Sequence, residues 1–375
     1  MWWLISQQKS RQVSCRDFVF YRMQNQFLLY GANGYTGRLI ARMAKDYGLT
    51  PVLAGRNASA LEAMGLELGL SYQVIDLSDK ENLVAALRSF PLVLHAAGPF
   101  IHTAKSMVEA CLETGTHYID ITGEIAVFEL LKRMDAAAKE KNIMIMPGVG
   151  FDVVPTDCMA LFLKNQMPDA QSLKLAFASI GGKLSHGTAT TMAEGMGEGS
   201  AVRLNGKITR VPLGHKGMWV DFGLKKLFVM TIPWGDISTA YTTTGIPNIE
   251  TYTGASPKTF QLLKWQKGFN WILKLSLVRN YYKKKIKAMP AGPSDDMRAK
   301  AKSMVWGQVE NASGEQISAI QEGPEGYTLT AISSLLIAQK ILSGNFKPGY
   351  QTPAACFGED LVMEIPGVKR RLIAS

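Results

Sequence analysis

No apolar run in this chain approaches the roughly 20 residues needed to span a bilayer, so a membrane-spanning protein is not expected. The opening Met1-Trp-Trp-Leu-Ile-Ser is too short an apolar stretch for a secretory signal, and no small-residue cleavage site follows it. Cysteine is scarce: Cys15, Cys111, Cys158 and Cys356 lie far apart, and no C-x-x-C pair occurs. The five histidines make no metal-ligand cluster with them. A reducing compartment follows, with no metal and no disulfide framework, and a cytoplasmic location is the expectation. Internal repeats and low-complexity tracts are absent too. The net charge of +10 is local, because residues 261–302 hold eleven Lys or Arg against two Asp. A nucleic-acid enzyme spreads its basic residues along a groove, so no nucleic-acid partner is expected.

What the chain does have is 375 residues, 47% of them hydrophobic and 19% charged, which is enough for two domains. Its most telling stretch is Phe27-Leu-Leu-Tyr-Gly-Ala-Asn-Gly-Tyr-Thr-Gly37. Four apolar residues enter a tight glycine turn, and an amphipathic pattern follows from Arg38. Strand, glycine turn, helix is the first unit of a dinucleotide-binding fold. It sets a pyrophosphate at a helix N-terminus, where unpaired N–H groups and the helix dipole favour an anion. Gly31, Asn33, Gly34, Tyr35, Thr36 and Gly37 are therefore cofactor-binding candidates.

Strand and helix signals alternate from 27 to 147. Strands are predicted at Phe27–Tyr30, Pro51–Ala54, Tyr72–Asp76, Leu92–His95, His117–Asp120 and Ile143–Met146. Helical patterns between them cover Ala58–Leu68, Lys80–Arg88, Thr103–Glu113 and Ala126–Lys141. The fold class is α/β: a doubly wound parallel Rossmann sheet over 23–155. After Pro155 the pattern changes. Ser172–Ile180 alternates, Asn205-Gly206 marks a hairpin, and a second hairpin is predicted over Met304–Glu310 and Gln316–Gln321. Helices are predicted near 186–198, 258–287 and 328–343. This reads as an α+β second domain over 156–345, with 346–375 packing back on the first. Residues 1–22 are expected to be a disordered or misassigned extension ahead of Met23.

The second strand ends at Ala54-Gly55-Arg56-Asn57. An NAD enzyme carries an acidic residue there for the ribose hydroxyls. The planar fork of Arg56 suits a 2′-phosphate instead, so NADP is the expected cofactor. Asn57 joins this group, and Asp76 is either an adenine contact or a helix cap. Ala97, Gly98, Pro99 and Phe100, after the fourth strand, would border the cofactor's ribose and nicotinamide, although Phe100 is equally suited to a core. Reduction also needs a proton donor. Tyr118, Asp152 and His186 are the candidates, with His95 beside them. The helix after the fourth strand carries no Tyr-x-x-x-Lys pair, so spacing alone does not choose among them.

Several segments together resemble the saccharopine dehydrogenase-like oxidoreductases, a group that includes bacterial trans-acting enoyl reductases. They are Gly31-Ala-Asn-Gly-Tyr-Thr-Gly-Arg38, Leu53-Ala-Gly-Arg-Asn57, Ala96-Ala-Gly-Pro-Phe100, Tyr118-Ile-Asp-Ile-Thr-Gly-Glu124, Gly150-Phe-Asp-Val-Val-Pro-Thr-Asp157, Gly187-Thr-Ala-Thr190 and Tyr350-Gln-Thr-Pro-Ala354. The resemblance implies an NADP-binding Rossmann domain and a mixed, largely antiparallel second sheet that serves substrate binding and dimerisation. A homodimer is the matching expectation. It carries cofactor roles onto Gly31, Gly34, Gly37, Arg56 and the 96–100 loop, and hands over no catalytic residue.

The expected activity is NADP-dependent hydride transfer to a C=C or C=O group of a small apolar or lipid-like substrate. Met192, Met196, Met218, Trp219 and Met230 are its apolar candidates. A saccharopine-type C=N reductase is the alternative, and it would need arginines for two carboxylates; only Arg203 and Arg210 flank the Asn-Gly hairpin. A non-catalytic NADP-binding protein is a third reading. It is motivated by the basic, aromatic stretch 264–287, whose helix suits peripheral contact with an anionic membrane or cover for a domain interface.

Overall fold

The computed structural model describes residues 25–194, 199–265, 280–281, 284–286 and 288–373. The extension at 1–22 and most of the basic helix expected over 264–287 thus lie outside the described residues. Among those described, no helix is long and apolar enough to cross a membrane.

In the first half β1 (Gln26–Tyr30), α1 (Tyr35–Met43), β2 (Thr50–Gly55), α2 (Ala58–Leu68), β3 (Tyr72–Val74), α3 (Lys80–Leu87), β4 (Leu92–His95), α4 (Ala104–Thr114), β5 (His117–Asp120), α5 (Ile125–Lys132), α6 (Asp135–Glu140) and β6 (Met144–Met146) alternate. The single helix expected over Ala126–Lys141 is two, broken at Arg133–Met134. All six strands pair in parallel in the order β6-β5-β4-β1-β2-β3. The order reverses between β1 and β4, which opens a crevice at their carboxyl ends.

The second half runs α7 (Val154–Gln166), β7 (Ser172–Ile180), α8 (His186–Glu194), β8 (Ser200–Leu204), β9 (Lys207–Val211), β10 (Gly217–Asp221), β11 (Lys226–Thr231), α9 (Asp236–Thr244), β12 (Asn248–Gly254), α10 (Pro257–Trp265), α11 (Asp295–Lys300), β13 (Lys302–Glu310) and β14 (Gln316–Pro324). The Asn205-Gly206 turn forms as expected, with both residues at positive φ. This sheet is mixed and largely antiparallel, and β7–β12 is its parallel pair.

The tail then crosses between the sheets. Helix α12 (Gly326–Leu342) lies by chain order in the segment expected to form the second domain, yet it packs on the first sheet. Its Leu329, Leu335 and Ile341 share one core with Phe27, Leu29 and Ile40. An apolar surface that wide needs a sheet face to cover it. Strand β15 (Gly349–Tyr350) then adds a seventh parallel strand beside β6. After the short α13 (Pro353–Phe357), strand β16 (Lys369–Ile373) pairs with β14 of the second sheet. The described part of the segment expected to pack on the first domain, 346–373, therefore packs on both sheets, not on the first alone.

Leu335 is fully buried between α12 and the first sheet. Leu335→Ala is expected to lower stability by about 2–5 kcal/mol, read as a lower urea midpoint with an unchanged slope.

Candidate functional site

The crevice begins where β1 ends. Gly31 has φ +83°, and a Cβ there would come within 2.7 Å of the Ala97 nitrogen, so the loops after β1 and β4 meet only because Gly31 lacks one. A Cβ on Gly37 would stand 2.4 Å from the Gly31 carbonyl oxygen. Gly34 caps α1 without a side chain, which leaves the first-turn N–H groups to a ligand. This cradle fits a pyrophosphate. Arg56 is exposed just past β2, open to a phosphate further along the crevice. Asn33 lies at the same end, its Oδ1 close to the Gly55 backbone. Thr36 is half-buried in the first turn of α1.

Other candidates are engaged elsewhere. Asn57 caps α2, accepting from Ala60 N at 3.1 Å. The Asp76 carboxylate accepts from both N and Oγ of Ser78, and these bonds hold its pKa below the usual value. These bonds close a local turn ahead of α3, and the cap of that helix is Asp79. Ala97, Gly98 and Pro99 line the loop after β4, whereas Phe100 turns inward and stacks edge-on to His95. Its backbone N–H donates to Glu124 Oε1 at 2.7 Å, and that of Ile101 donates to Oε2.

Among the proton-donor candidates, Tyr118 is fully buried. Its hydroxyl donates to Asp120 Oδ2 at 2.6 Å and lies 3.2 Å from His95 Nδ1. Burial raises the phenol well above its ordinary range and lowers His95 to about 3. Both side chains are closed off from solvent. Asp120 also accepts from Thr122 N and Gly148 N, which ties together the loops after β5 and β6. His186 opens α8 in the second domain, with Nε2 2.5 Å from the Met289 carbonyl. It is a structural tie there.

Asp152 is different. It sits on the loop after β6 with its carboxyl against Gly123, where a Cβ would come within 2.5 Å of Oδ2. Burial, and then the neighbouring Glu124 carboxylate, push Asp152 up to about 7. The residue as a whole keeps partial exposure, so the group is deep in the crevice but not sealed. From α12, Thr330 Oγ1 accepts from Phe151 N and the Ser333 hydroxyl donates to Val149 O, which fixes this loop.

Residues 27–146 match the family model described as the saccharopine dehydrogenase NADP binding domain. Over this stretch the chain is similar to the NADP-binding domain of saccharopine dehydrogenases. A saccharopine dehydrogenase-like oxidoreductase of Rattus norvegicus is 31% identical over 175 residues, spanning 41% of this chain and 41% of that protein. The trans-acting enoyl reductase of Mycobacterium leprae (strain TN) is 34% identical over 140 residues, 35% of this chain and 33% of that one. The match thus spans less than half the length of these curated relatives. In structure the chain is similar to the apo saccharopine dehydrogenase (L-Glu forming) of Saccharomyces cerevisiae. The TM-score is 0.66 at 12% identity, covering 93% of this chain and 100% of that one. Likeness at that identity speaks for the fold. Together these matches bear out the family resemblance and NADP as the cofactor.

One glycine-turn residue of the NADP-binding domain points away from the cradle. Tyr35 donates from its hydroxyl to Pro293 O at 2.6 Å, accepts from Arg298, and stacks edge-on to Tyr327. The Tyr327 hydroxyl in turn accepts from Ser185 N and lies 2.9 Å from Thr188 Oγ1. Tyr35 is thus a clasp to the second domain, and its packing against Gly292 leaves no room for a Cβ there. The apolar candidates of the second domain lie elsewhere: Trp219 is 59% exposed on β10 against Phe228, Met192 is 60% exposed, and Met218 and Met230 belong to the β10–β11 hairpin. Met196 falls outside the described residues.

Gly31→Ala is expected to weaken NADPH binding to the NADP-binding domain at least about tenfold, because the added methyl pushes the 96–100 loop off the cradle. Fluorescence titration with NADPH measures this; unchanged affinity would place the pyrophosphate elsewhere.

Proposed function

We propose that the whole chain is an NADP-dependent reductase of a C=O or C=C group in an apolar substrate, with Asp152 as the proton donor. The observation that carries this is the Asp152 carboxyl, set at the carboxyl ends of β5 and β6 with a pKa near 7. A general acid works best when its pKa lies near the operating pH. When bound, NADPH supplies the hydride. The carbonyl oxygen, or the second carbon of a C=C bond, takes its proton from Asp152, which is then recharged from solvent.

The saccharopine-type alternative fits less well. Arg203 is buried, with Nε and Nη1 donating to the Ile237 and Gly206 carbonyls and its plane over Tyr241, so it is not open to a substrate carboxylate. The Glu124 carboxylate also makes the crevice repel a substrate carboxylate. The second carboxylate of a saccharopine-type substrate only adds to that repulsion.

Two outcomes follow. Reductase activity should hold below about pH 7 and fall as Asp152 ionises above it; Asp152→Asn should cut kcat by about 10²–10⁴ and abolish that limb. A pH–rate profile unchanged in the variant removes Asp152 from the reaction. Arg56→Ala should weaken NADPH far more than NADH, since its fork serves the 2′-phosphate. Equal losses in parallel titrations would rule that role out.

A further inference from the structure

Beside Asp152 stands a row of aromatic rings, with Phe151 at the edge of the first core and Phe177 at the edge of a core of the second sheet. Phe151 meets Phe177 edge-on at 5.8 Å between ring centroids, and Phe177 lies over Trp234 at 4.4 Å with a 37° tilt. All three keep partial exposure, whereas Phe27, Phe128, Tyr118 and Tyr252 are closed off in the cores. Three elements that are distant in sequence supply them: the loop after β6, the middle of β7, and the turn before α9.

Their position relative to the acid is fixed by backbone contact. Gly235, next to Trp234, packs so closely that a Cβ there would lie 3.3 Å from the Gly123 carbonyl oxygen and 2.6 Å from the Phe128 ring. Gly123 in turn abuts Asp152. The rings and the carboxyl therefore share one stretch of the seam between the two sheets, at the carboxyl ends of β5 and β6. One polar group there is also unmet. The Trp234 indole N–H is buried and has no hydrogen-bond partner, which is unusual for a group that can only donate.

We infer that Phe151, Phe177 and Trp234 form the substrate wall, and that the substrate is a flat conjugated carbonyl compound, an aryl enone or aryl ketone, rather than a straight acyl chain. This rests on the reductase reading above. A planar π-system stacks on rings held at fixed angles, and a carbonyl oxygen is the acceptor that the indole N–H and a protonated carboxyl both seek. A flexible chain would gain apolar cover from the same wall and lose more conformational freedom in settling on it. In the step itself the substrate carbon gains hydride, its partner atom gains the Asp152 proton, and NADPH leaves as NADP⁺.

The test compares benzylideneacetone with the straight-chain methyl enone of equal carbon count. Saturation-transfer NMR on protein loaded with NADP⁺ reads binding without turnover, and NADPH oxidation reads turnover. The aryl enone should show transfer to its ring protons and a KM lower by roughly tenfold. Trp234→Leu and Phe177→Leu should raise that KM about tenfold and weaken the NMR signal, with NADPH affinity unchanged. Trp234→Phe, which keeps a ring and removes the N–H, is the milder variant should the leucine forms fail to fold. Equal affinity for the two enones, no aryl binding, or aryl binding indifferent to both wall positions overturns the inference. Aryl binding at the wall without turnover would uphold it and sink the reductase reading.

Discussion

Both oxygens of one buried carboxylate hold the crevice in shape. Asp120 takes Thr122 N and Gly148 N on Oδ1 and the Tyr118 hydroxyl on Oδ2, while its own carbonyl accepts from Val149 N. Burial pushes this carboxyl up to about 6, against the pull of those donors. The bonds fix the direction in which the chain leaves β5 and β6. From the first exit comes Gly123 and from the second Asp152, and their close approach is the centre of the site. Removing this carboxylate would leave its three donors unmet, which costs more than the bonds contribute.

The second constraint is that the two sheets cannot part without breaking backbone-level ties. Helix α12 belongs to the first core and β16 to the second sheet, so the tail crosses the seam. Tyr35 fastens the glycine turn to Pro293 and Arg298, and Arg298 and Arg42 both pair with Asp295. Exposed pairs of this kind add little by themselves. The half-buried Tyr35 contact is the firmer one. It means that the cofactor cradle and the start of α8 are positioned by one chain of contacts through Tyr327.

How legible this was depended on how local each cause is. Phe27-Leu-Leu-Tyr30 reads as a strand because both faces are buried, and every residue must be apolar whatever lies around it. Asn205-Gly206 reads as a turn because it is encoded in two residues. By contrast β15 has only Gly349 and Tyr350, and it exists because β6 has a free edge. Helix α9 carries Ile237, Thr239, Thr242, Thr243 and Thr244, which local propensity disfavours; packing on α7 and α5 overrides it. The site divides in the same way. The glycine cradle is written in one short segment. The direction of the Tyr35 ring was not readable from its own segment, because a contact 258 residues away turns it. Asp152 stayed one of several donors because Thr330 and Ser333, far along the chain, aim its loop. Phe177 and Trp234 gave no local signal at all.

The crevice holds two carboxyls with different surroundings, and the difference bears on how the acid is set. Both oxygens of Glu124 receive backbone N–H groups from Phe100 and Ile101. Asp152 has burial against it, and Glu124 is the charge that raises it further. Sites that separate two carboxyls in this way divide anion and acid between them. The donors to Glu124 come from the loop that would flank the nicotinamide. Any shift of residues 99–101 therefore moves the Glu124 charge with it. The acid strength of Asp152 is tied in this way to how the cofactor-side loop sits.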